Sequence, residues 1–271
     1  MGRFTGTLFA SDFDGTLADS KGEIPEPVRE RIKYYISEGG LFTVCTGRTK
    51  QGFHFYDKSI INAPVLLANG IMAYDYEKES TVFGYTVSLE DSSIVSLIAK
   101  EFPDICIEMY SDDFRTYAIN INERSFHHFT RQNISWTNVG DVSQTRPPFV
   151  KIMLSAGRER ASDLQSYLDT VIHRFDLKYI PSTGEYVEII NRNAGKGKGL
   201  LELAGLLGIG KESVYSAGDG ENDLDMLAAS GLCFVPSNAC PAAKALPHID
   251  VVSNDEGAIA DAIDRIPLRS E

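Results

Sequence analysis

The chain contains a short apolar run, residues 7–10, that is followed almost at once by two aspartates, Asp12 and Asp14. A run of this kind leading into Asp and Gly is typical of a buried parallel strand that ends in a functional loop. Open α/β sheets bind their ligands at the carboxyl ends of such strands. Because two close carboxylates raise each other's proton affinity, the pair is costly without a cation between them. The stretch therefore indicates a Mg²⁺ site, although an Asx turn after a strand would use the same residue types.

Helix and strand patterns alternate after this loop. Apolar residues at helical spacing occupy residues 28–36, Gly39-Gly40 closes that segment, and residues 41–45 and 64–68 are further β-rich runs. The succession of strand, helix and strand predicts a βαβ unit. We therefore expect an α/β fold with a Rossmann-like parallel-sheet core.

The pattern changes from about residue 88, where helical segments mix with short strands that we expect to pair antiparallel. This mixture inside an α/β chain predicts an inserted α+β domain. A length of 271 residues exceeds the size at which one hydrophobic core usually keeps growing, which is compatible with two domains. The predicted division is a core formed by residues 1–86 and 189–271 and an insert formed by residues 87–188.

Composition and charge argue against several kinds of partner and location. The formal net charge of −12 disfavours nucleic acid, because binding a phosphate backbone needs a positive face. No stretch approaches the roughly 18 apolar residues of a membrane helix, and the amino terminus lacks the basic and apolar regions of a signal peptide. The four cysteines form no C-x-x-C pair, which indicates free thiols in a reducing compartment. A cytoplasmic monomer or small homo-oligomer is expected.

Polar residues follow the second and third β-rich runs. Thr46-Gly47 could hold a phosphate oxygen with a hydroxyl and a bare backbone amide, although a simple turn uses the same residues. Arg48 could bind a phosphate or substrate oxygen through two hydrogen bonds, or form a surface salt bridge. Asn69-Gly70 is typical of a hairpin turn.

Two further polar segments occur in the last third of the chain. Residues 195–199 place two lysines among glycines ahead of an apolar helix, at a spacing that differs from a nucleotide-binding P-loop. Asp219, Asn222 and Asp223 follow another short apolar run. A solvated helix start would also collect carboxylates, because they interact favourably with the helix dipole.

Together these segments resemble the motifs of the haloacid dehalogenase superfamily of phosphoryl-transfer enzymes, and they occur in that family's order. The matching segments are D-x-D-G-T-L at 12–17, T-G at 46–47, K-G-x-G-L at 196–200 and G-D-x-x-N-D at 218–223. The Asn-Gly turn, the form of the lysine motif and the size of the insert resemble the Cof-type branch, which has a large inserted cap. In that branch similar Asn-Gly turns face the active site, so the resemblance implies a candidate substrate contact at Asn69 as the alternative to a simple hairpin. Four motifs in order are far more specific than any one of them.

The resemblance implies a role for each matching residue. Asp12 would be the nucleophile that becomes an aspartyl phosphate, and Asp14 would protonate the leaving oxygen and later activate water. This division is chemically reasonable, because one carboxylate must be ionised to attack while the other holds a proton. The motif selects Lys196 over Lys198. The other implied assignments are phosphate contacts at Thr46, Gly47, Lys196 and Asn222, a Mg²⁺ site at Asp12, Asp14 and Asp219, and an orienting role for Asp223.

The expected function is a Mg²⁺-dependent phosphatase for a small phosphorylated metabolite such as a sugar phosphate. A phosphohexomutase and a non-catalytic sugar-phosphate-binding protein are the alternatives, since some mutases share the first motif and a similar cap. The cap would close over the site and contact the organic part of the substrate. Its candidate pocket residues are Tyr110, Asp113, Arg115 and residues 182–184. His127-His128 has no acidic or cysteine companions at metal spacing, which favours surface or packing histidines.

Overall fold

The computed structural model describes residues 2–182 and 184–267. These residues form two compact units. Among these residues, the first unit is drawn from residues 2–47, 55–83 and 195–267, and the second from residues 48–54, 84–182 and 184–194. The sequence predicted an insert at 87–188, whereas the second unit extends to residue 194 and also includes residues 48–54. The extension arises because the last strand of this unit runs to Asn191, whose side-chain amide donates to the carbonyl of Thr86 at 3.1 Å.

The strands and helices are numbered in chain order. The strands are β1 (Leu8–Ser11), β2 (Leu41–Val44), β3 (Val65–Leu67), β4 (Met72–Asp75), β5 (Ser80–Gly84), β6 (Cys106–Ser111), β7 (Thr116–Ile119), β8 (Thr137–Asn138), β9 (Phe149–Ser155), β10 (Leu177–Ser182), β11 (Tyr186–Asn191), β12 (Val214–Ala217), β13 (Leu232–Pro236) and β14 (Ile249–Val251). The helices are α1 (Glu26–Ser37), α2 (Ile94–Glu101), α3 (Glu123–Gln132), α4 (Arg158–Val171), α5 (Lys196–Leu206), α6 (Leu224–Ala229), α7 (Pro241–Lys244) and α8 (Ala258–Asp264). Within residues 2–182 and 184–267, no helix has the length and apolar character needed to cross a membrane.

A five-stranded parallel sheet in the order β14-β13-β12-β1-β2 forms the core of the first unit. Every residue of β1 is buried, as expected for a strand with helices on both faces of its sheet. On one face the ring of Phe9 stacks between those of Phe42 and Phe234, with centroids 5.6 Å away on each side. On the other face Leu8 and Ala10 belong to the apolar cluster that includes α5. The predicted α/β fold with a parallel-sheet core is confirmed.

The first unit also contains a small sheet in the order β3-β4-β5, in which β3 and β4 are antiparallel. Asn69-Gly70 lies in the connection between these two strands, so the hairpin proposed for it is present. Ala68, Asn69 and Gly70 have φ values of +51°, +62° and +75°. A left-handed conformation costs an L-residue about 1–2 kcal/mol, so this turn requires surrounding contacts to hold it.

The second unit is built on a six-stranded sheet in the order β10-β11-β9-β6-β7-β8. Neighbouring strands are antiparallel, except that β7 and β8 are parallel. Because side chains alternate along a strand, Ile107 and Cys106 belong to clusters on opposite faces. Helices α2 and α4 cover the face of Ile107, and Phe129 of α3 packs on the face of Cys106. The predicted α+β character of the insert is thus observed.

Three elements of the second unit were not predicted, namely α3, β8 and β10. The sequence of α3 is largely polar, and its start depends on a capping box. The side chain of Asn122 accepts from the amide of Ser125 at 3.0 Å, and the Ser125 hydroxyl accepts from the amide of Asn122 at 3.0 Å. The capping box satisfies backbone groups at the start of a helix that contains few apolar residues.

Two glycines in α5 offer a matched test of how this helix packs against α6. A Cβ at Gly197 would lie 2.3 Å from the carbonyl oxygen of Asp225 in α6, whereas a Cβ at Gly205 would meet nothing within 4 Å. We expect Gly197→Ala to lower the free energy of unfolding by about 1–3 kcal/mol, because backbone atoms must shift. Gly205→Ala should raise it by about 0.5–1 kcal/mol, because alanine loses less backbone entropy on folding. Urea denaturation of both variants measures the two changes. Equal changes in the free energy of unfolding would contradict the close packing of α5 against α6.

Candidate active site

The predicted site residues of the first unit lie at the carboxyl edge of the parallel sheet. Ser11 at the end of β1 is in register with Val44 of β2 and Ala217 of β12. The amide of Asp12 continues this alignment by donating to the carbonyl of Ala217 at 2.8 Å. Residues that follow the three strands are therefore brought to one edge, although they are far apart in the chain.

Lys196 lies at the start of α5 and is completely buried. Its Nζ atom is 2.5 Å from Asp12 Oδ1 and 2.6 Å from Asp223 Oδ1. Lys198, two positions further along the helix, is exposed. The structure thus brings together Asp12 and the lysine that the motif selected.

Burial has a strong effect on the pKa values of Asp12 and Lys196. It raises the pKa of Asp12 well above its ordinary value, the Lys196 ammonium opposes this effect, and the charges of Asp223 and Asp219 add to it. Burial also lowers the pKa of Lys196, but the carboxylates of Asp12 and Asp223 outweigh it and raise that pKa well above the ordinary value. Lys196 is therefore a permanent cation, and Asp12 needs further positive charge nearby to remain ionised.

Both carboxylate oxygens of Asp223 accept hydrogen bonds from other groups of the protein. Oδ1 accepts from Lys196, and Oδ2 accepts from the amides of Asp219 and Gly220 at 3.1 and 2.9 Å. Asp223 is 1% exposed, so these bonds are shielded from water. The arrangement suits a residue that holds the lysine and the loop after β12 in place.

Asp219 is connected to the loop after β1. The hydroxyl of Thr16 donates to Asp219 Oδ1 at 2.8 Å. Gly15 adopts a φ of +85°, and a Cβ there would lie 2.6 Å from Asp219 Oδ2. The absence of a side chain at residue 15 therefore permits both the turn and the close approach of this carboxylate. Burial raises the pKa of Asp219, while the hydrogen bond from Thr16 opposes that rise.

The carboxylates fit a divalent cation in charge and donor type. Single oxygens of Asp12, Asp219 and Asp223 lie within 4.8 Å of one another. Three carboxylates beside the one Lys196 ammonium leave a local charge of −2, which a hard divalent ion with oxygen ligands would balance. Since both oxygens of Asp223 already accept hydrogen bonds, Asp12 and Asp219 are the better candidates for direct ligands. Asp14 is exposed and is not a member of this group, so its place in the metal site stays a prediction.

The predicted phosphate contacts at Thr46, Gly47 and Asn222 are joined through Asn69. The amide of Asn69 donates to the carbonyl of Thr46 at 2.8 Å, and a Cβ on Gly47 would lie 3.1 Å from Asn69 Oδ1. Asn222 Nδ2 donates to Asn69 Oδ1 at 3.2 Å. Asn69 is therefore both a hairpin residue and a contact of the predicted phosphate-binding residues.

Arg48 belongs to the second unit, where its Nη1 donates to the carbonyl of Gly52 at 3.2 Å. Gln51 in the same segment donates through its side-chain amide to the carbonyl of Phe114 and accepts from the amide of Ser135 at 3.1 Å. The role of Arg48 toward a substrate stays a prediction.

A buried charged cluster in the second unit was missed by the sequence analysis. Glu108 is fully buried, accepts from the Tyr110 hydroxyl at 2.5 Å and lies 3.1 Å from His128 Nδ1. Lys151 and Glu188 form a buried ion pair at 3.1 Å. Burial raises the pKa of Tyr110 well above its ordinary value, and the charge of Glu108 adds to that rise. The sequence feature that could have indicated this cluster is a glutamate between apolar neighbours in each of two predicted strands, namely Glu108 and Glu188.

The other candidate pocket residues have different surroundings. Asp113 and Arg115 are exposed enough to form a surface ion pair with each other, at 3.4 Å. Thr183 lies outside the described residues. His128 is buried and packs against the rings of Phe129 and Tyr186, but it also has an acidic neighbour, Glu108, that sequence spacing did not show, whereas His127 is exposed.

Comparisons with known proteins find relatives that match nearly the whole chain. The sequence profile of the haloacid dehalogenase-like hydrolases matches residues 9–263. The 5-amino-6-(5-phospho-D-ribitylamino)uracil phosphatase YwtE of Bacillus subtilis is 26% identical over 95% of this chain and 96% of its own length. The pyridoxal phosphate phosphatase YbhA of Escherichia coli is 26% identical over 96% of this chain and 98% of its own length. A haloacid dehalogenase-like hydrolase from Bacteroides thetaiotaomicron has a similar fold, with a TM-score of 0.83, 21% identity, and coverage of 96% of this chain and 98% of that chain.

Proposed function

The chain belongs to the haloacid dehalogenase-like hydrolases, and from that membership we propose that it is a Mg²⁺-dependent phosphatase acting on a small phosphomonoester through an aspartyl phosphate. The observation that carries the proposal is the buried contact between Asp12 and Lys196, with Asp219 beside it at the sheet edge. A carboxylate held by a permanent cation next to a divalent-cation site can serve as a nucleophile toward phosphorus.

In the proposed first step, a carboxylate oxygen of Asp12 attacks phosphorus and the bond from phosphorus to the leaving alcohol breaks. Asp14 gives its proton to the leaving oxygen, for which its exposed position is suitable. In the second step water attacks the aspartyl phosphate, Asp14 takes the water proton, and inorganic phosphate leaves. Asp12 is then a free carboxylate again, so each turnover consumes one ester and one water.

Charge on the transferring phosphoryl group must be balanced throughout. Lys196 supplies a full positive charge, and we assign the Thr46 hydroxyl, the Gly47 amide and the Asn222 side chain as hydrogen-bond donors to the phosphoryl oxygens. Mg²⁺ held by the carboxylates of Asp12 and Asp219 would neutralise further charge on those oxygens, and we assign Asp14 to the same site through its backbone carbonyl, because its carboxyl serves as the acid. Asp223 holds Lys196 in position through the 2.6 Å bond.

Removing divalent cations should abolish the activity. We expect EDTA to reduce phosphate release to background and Mg²⁺ in excess of the chelator to restore it, because three carboxylates beside one ammonium leave uncompensated negative charge. The measurement is phosphate release before EDTA, after EDTA and after Mg²⁺ addition. Unchanged rates in EDTA would remove the metal from the mechanism.

The substrate class is proposed from the relatives. YwtE and YbhA are named for a phosphorylated ribityl compound and for pyridoxal phosphate, both small phosphorylated metabolites. We therefore propose a substrate of that size, with a sugar phosphate or similar metabolite as the leading class.

The test is phosphate release from a panel of sugar phosphates, a phosphorylated ribityl compound, pyridoxal phosphate and nucleotides. Free phosphate from one class, with no positional isomer of a hexose phosphate, is the expected result. Isomer formation without free phosphate would instead identify a phosphohexomutase. Binding of a sugar phosphate without either reaction would identify a non-catalytic binding protein.

A further inference from the structure

The left-handed turn at residues 68–70 touches each of the predicted phosphate-binding segments of the first unit. Backbone hydrogen bonds join the segment after β2 to this turn and to β3, which leads into it. The amide of Thr46 donates to the carbonyl of Leu66 at 2.9 Å, and the amide of Asn69 donates to the carbonyl of Thr46 at 2.8 Å. The turn therefore fixes the backbone from which the Thr46 hydroxyl and the Gly47 amide project.

The same turn packs against the start of α5. A Cβ at Gly70 would lie 2.6 Å from the carbonyl oxygen of Gly195 and 2.7 Å from Cα of Lys196, and a Cβ at Gly199 would lie 2.3 Å from the carbonyl oxygen of Gly70. These distances mean that the two backbones are in direct contact. The turn is thus placed against the residue that carries the buried ammonium.

The third contact is made by a side chain. Asn222 is exposed and lies on a short 3₁₀ turn, Glu221–Asp223, whereas Asn69 is 4% exposed and is held by its backbone bond to Thr46. The hydrogen bond from Asn222 Nδ2 to Asn69 Oδ1 at 3.2 Å joins the exposed amide to the buried one. A side chain without such a bond would occupy several rotamers.

We propose that Asn69 is a positioning residue, which holds the Asn222 amide in the orientation needed to donate to the phosphoryl group. The proposal rests on the phosphatase function proposed above. It differs from direct substrate contact by Asn69, because the effect passes through Asn222. Donors that are oriented before the reaction stabilise developing charge without reorganisation, so the benefit appears mainly in kcat.

A purely structural role for Asn69 can be separated from this one by glycine. Asn69→Gly keeps the left-handed backbone without strain and removes only the side-chain amide. If Asn69 served only the hairpin, this variant would keep both stability and activity. If the side chain positions Asn222, the variant keeps its thermal midpoint within about 2–4 °C and loses about tenfold in kcat for p-nitrophenyl phosphate, with little change in KM.

A double-mutant cycle with Asn222→Ala tests whether the effect passes through that residue. We expect Asn222→Ala alone to lower kcat about 100-fold and the combined variant to be no worse, because Asn69 has nothing left to position. Independent roles would multiply to a loss of about 1000-fold and would overturn the proposal. Wild-type kcat in Asn69→Gly, or a loss of thermal stability that parallels the loss of kcat, would overturn it as well.

The double-mutant cycle of Asn69 and Asn222 can also be measured by ligand binding, without turnover. Titration calorimetry with inorganic phosphate and Mg²⁺ reports the affinity of the four proteins. We expect the losses of affinity to be smaller than the losses in kcat and to show coupling of the same sign. If the wild-type protein binds phosphate but hydrolyses no ester, the phosphatase proposal fails while the cycle in Kd still decides the role of Asn69. Additive losses in Kd would reject the positioning role.

Discussion

Asp12→Asn protein should release no phosphate from p-nitrophenyl phosphate while remaining folded. An amide nitrogen or oxygen cannot replace a carboxylate as the nucleophile, so we expect kcat to fall by at least about 10⁴-fold. The fold should persist, because asparagine has the same shape and its carbonyl oxygen can still accept from Lys196, which lies 2.5 Å from Asp12 Oδ1. The measurements are continuous phosphate release and circular dichroism through thermal unfolding.

The matched control for this variant is Asp163→Asn on α4. The Asp163 side chain is 63% exposed and forms a surface ion pair with Arg160 at 3.3 Å, so its loss should leave both activity and stability nearly unchanged. Hydrolysis by Asp12→Asn at a rate comparable to that of Asp163→Asn would refute Asp12 as the nucleophile.

Lys196→Met should lose both activity and stability. Methionine has a similar length but no charge, and it would leave Asp12 and Asp223 buried without the ammonium that each contacts. Breaking a buried ion pair by removing one partner costs about 3–5 kcal/mol, so the free energy of unfolding should fall by that order. Turnover should also be lost, because the phosphoryl charge is no longer balanced. Urea denaturation in EDTA and phosphate release with Mg²⁺ measure the two effects.

Lys198→Met is the corresponding control, since it makes the same change on the same helix at an exposed residue. We expect it to alter the free energy of unfolding by no more than about 0.5 kcal/mol and to keep activity. Equal losses in the two variants would mean that the charge of α5 as a whole matters, and the assignment to Lys196 would be wrong.

The elements that were predicted well are those with strong local patterns. β1 is a short apolar run before Asp and Gly, and α1 has apolar residues at helical spacing ahead of two glycines, so nearby residues alone specify both. α3 was missed because its residues are mostly polar and its stability comes from its cap and from Phe129 packing on the sheet. The assignment of residues 48–54 to the second unit has no local signature at all. It depends on contacts such as those of Gln51 with Phe114 and Ser135.

The candidate site likewise combines residues that motifs identified with contacts that only the fold creates. Asp12 and Lys196 were identified by their motifs, yet they are 184 residues apart, and their contact exists because parallel pairing of β1 with β12 and the packing of α5 bring them to one edge. The buried cluster around Glu108 has no motif, because its members come from separate strands and a helix. Asn69 was a candidate with two explanations. The hairpin is present, the hydrogen bond to Asn222 depends on tertiary structure, and substrate contact stays a prediction.

The sequence by itself determined the family, the parallel-sheet core and the identity of most residues proposed for the chemistry, since these depend on short segments whose residue types are required locally. Tertiary structure alone decided which carboxylate oxygens lie close together. It also decided that the Asp223 carboxylate accepts hydrogen bonds from Lys196 and two backbone amides, and that Asn222 donates to Asn69 although the two are 153 positions apart. The physical reason is that distances between remote side chains are set by strand register and helix packing, which no single segment encodes.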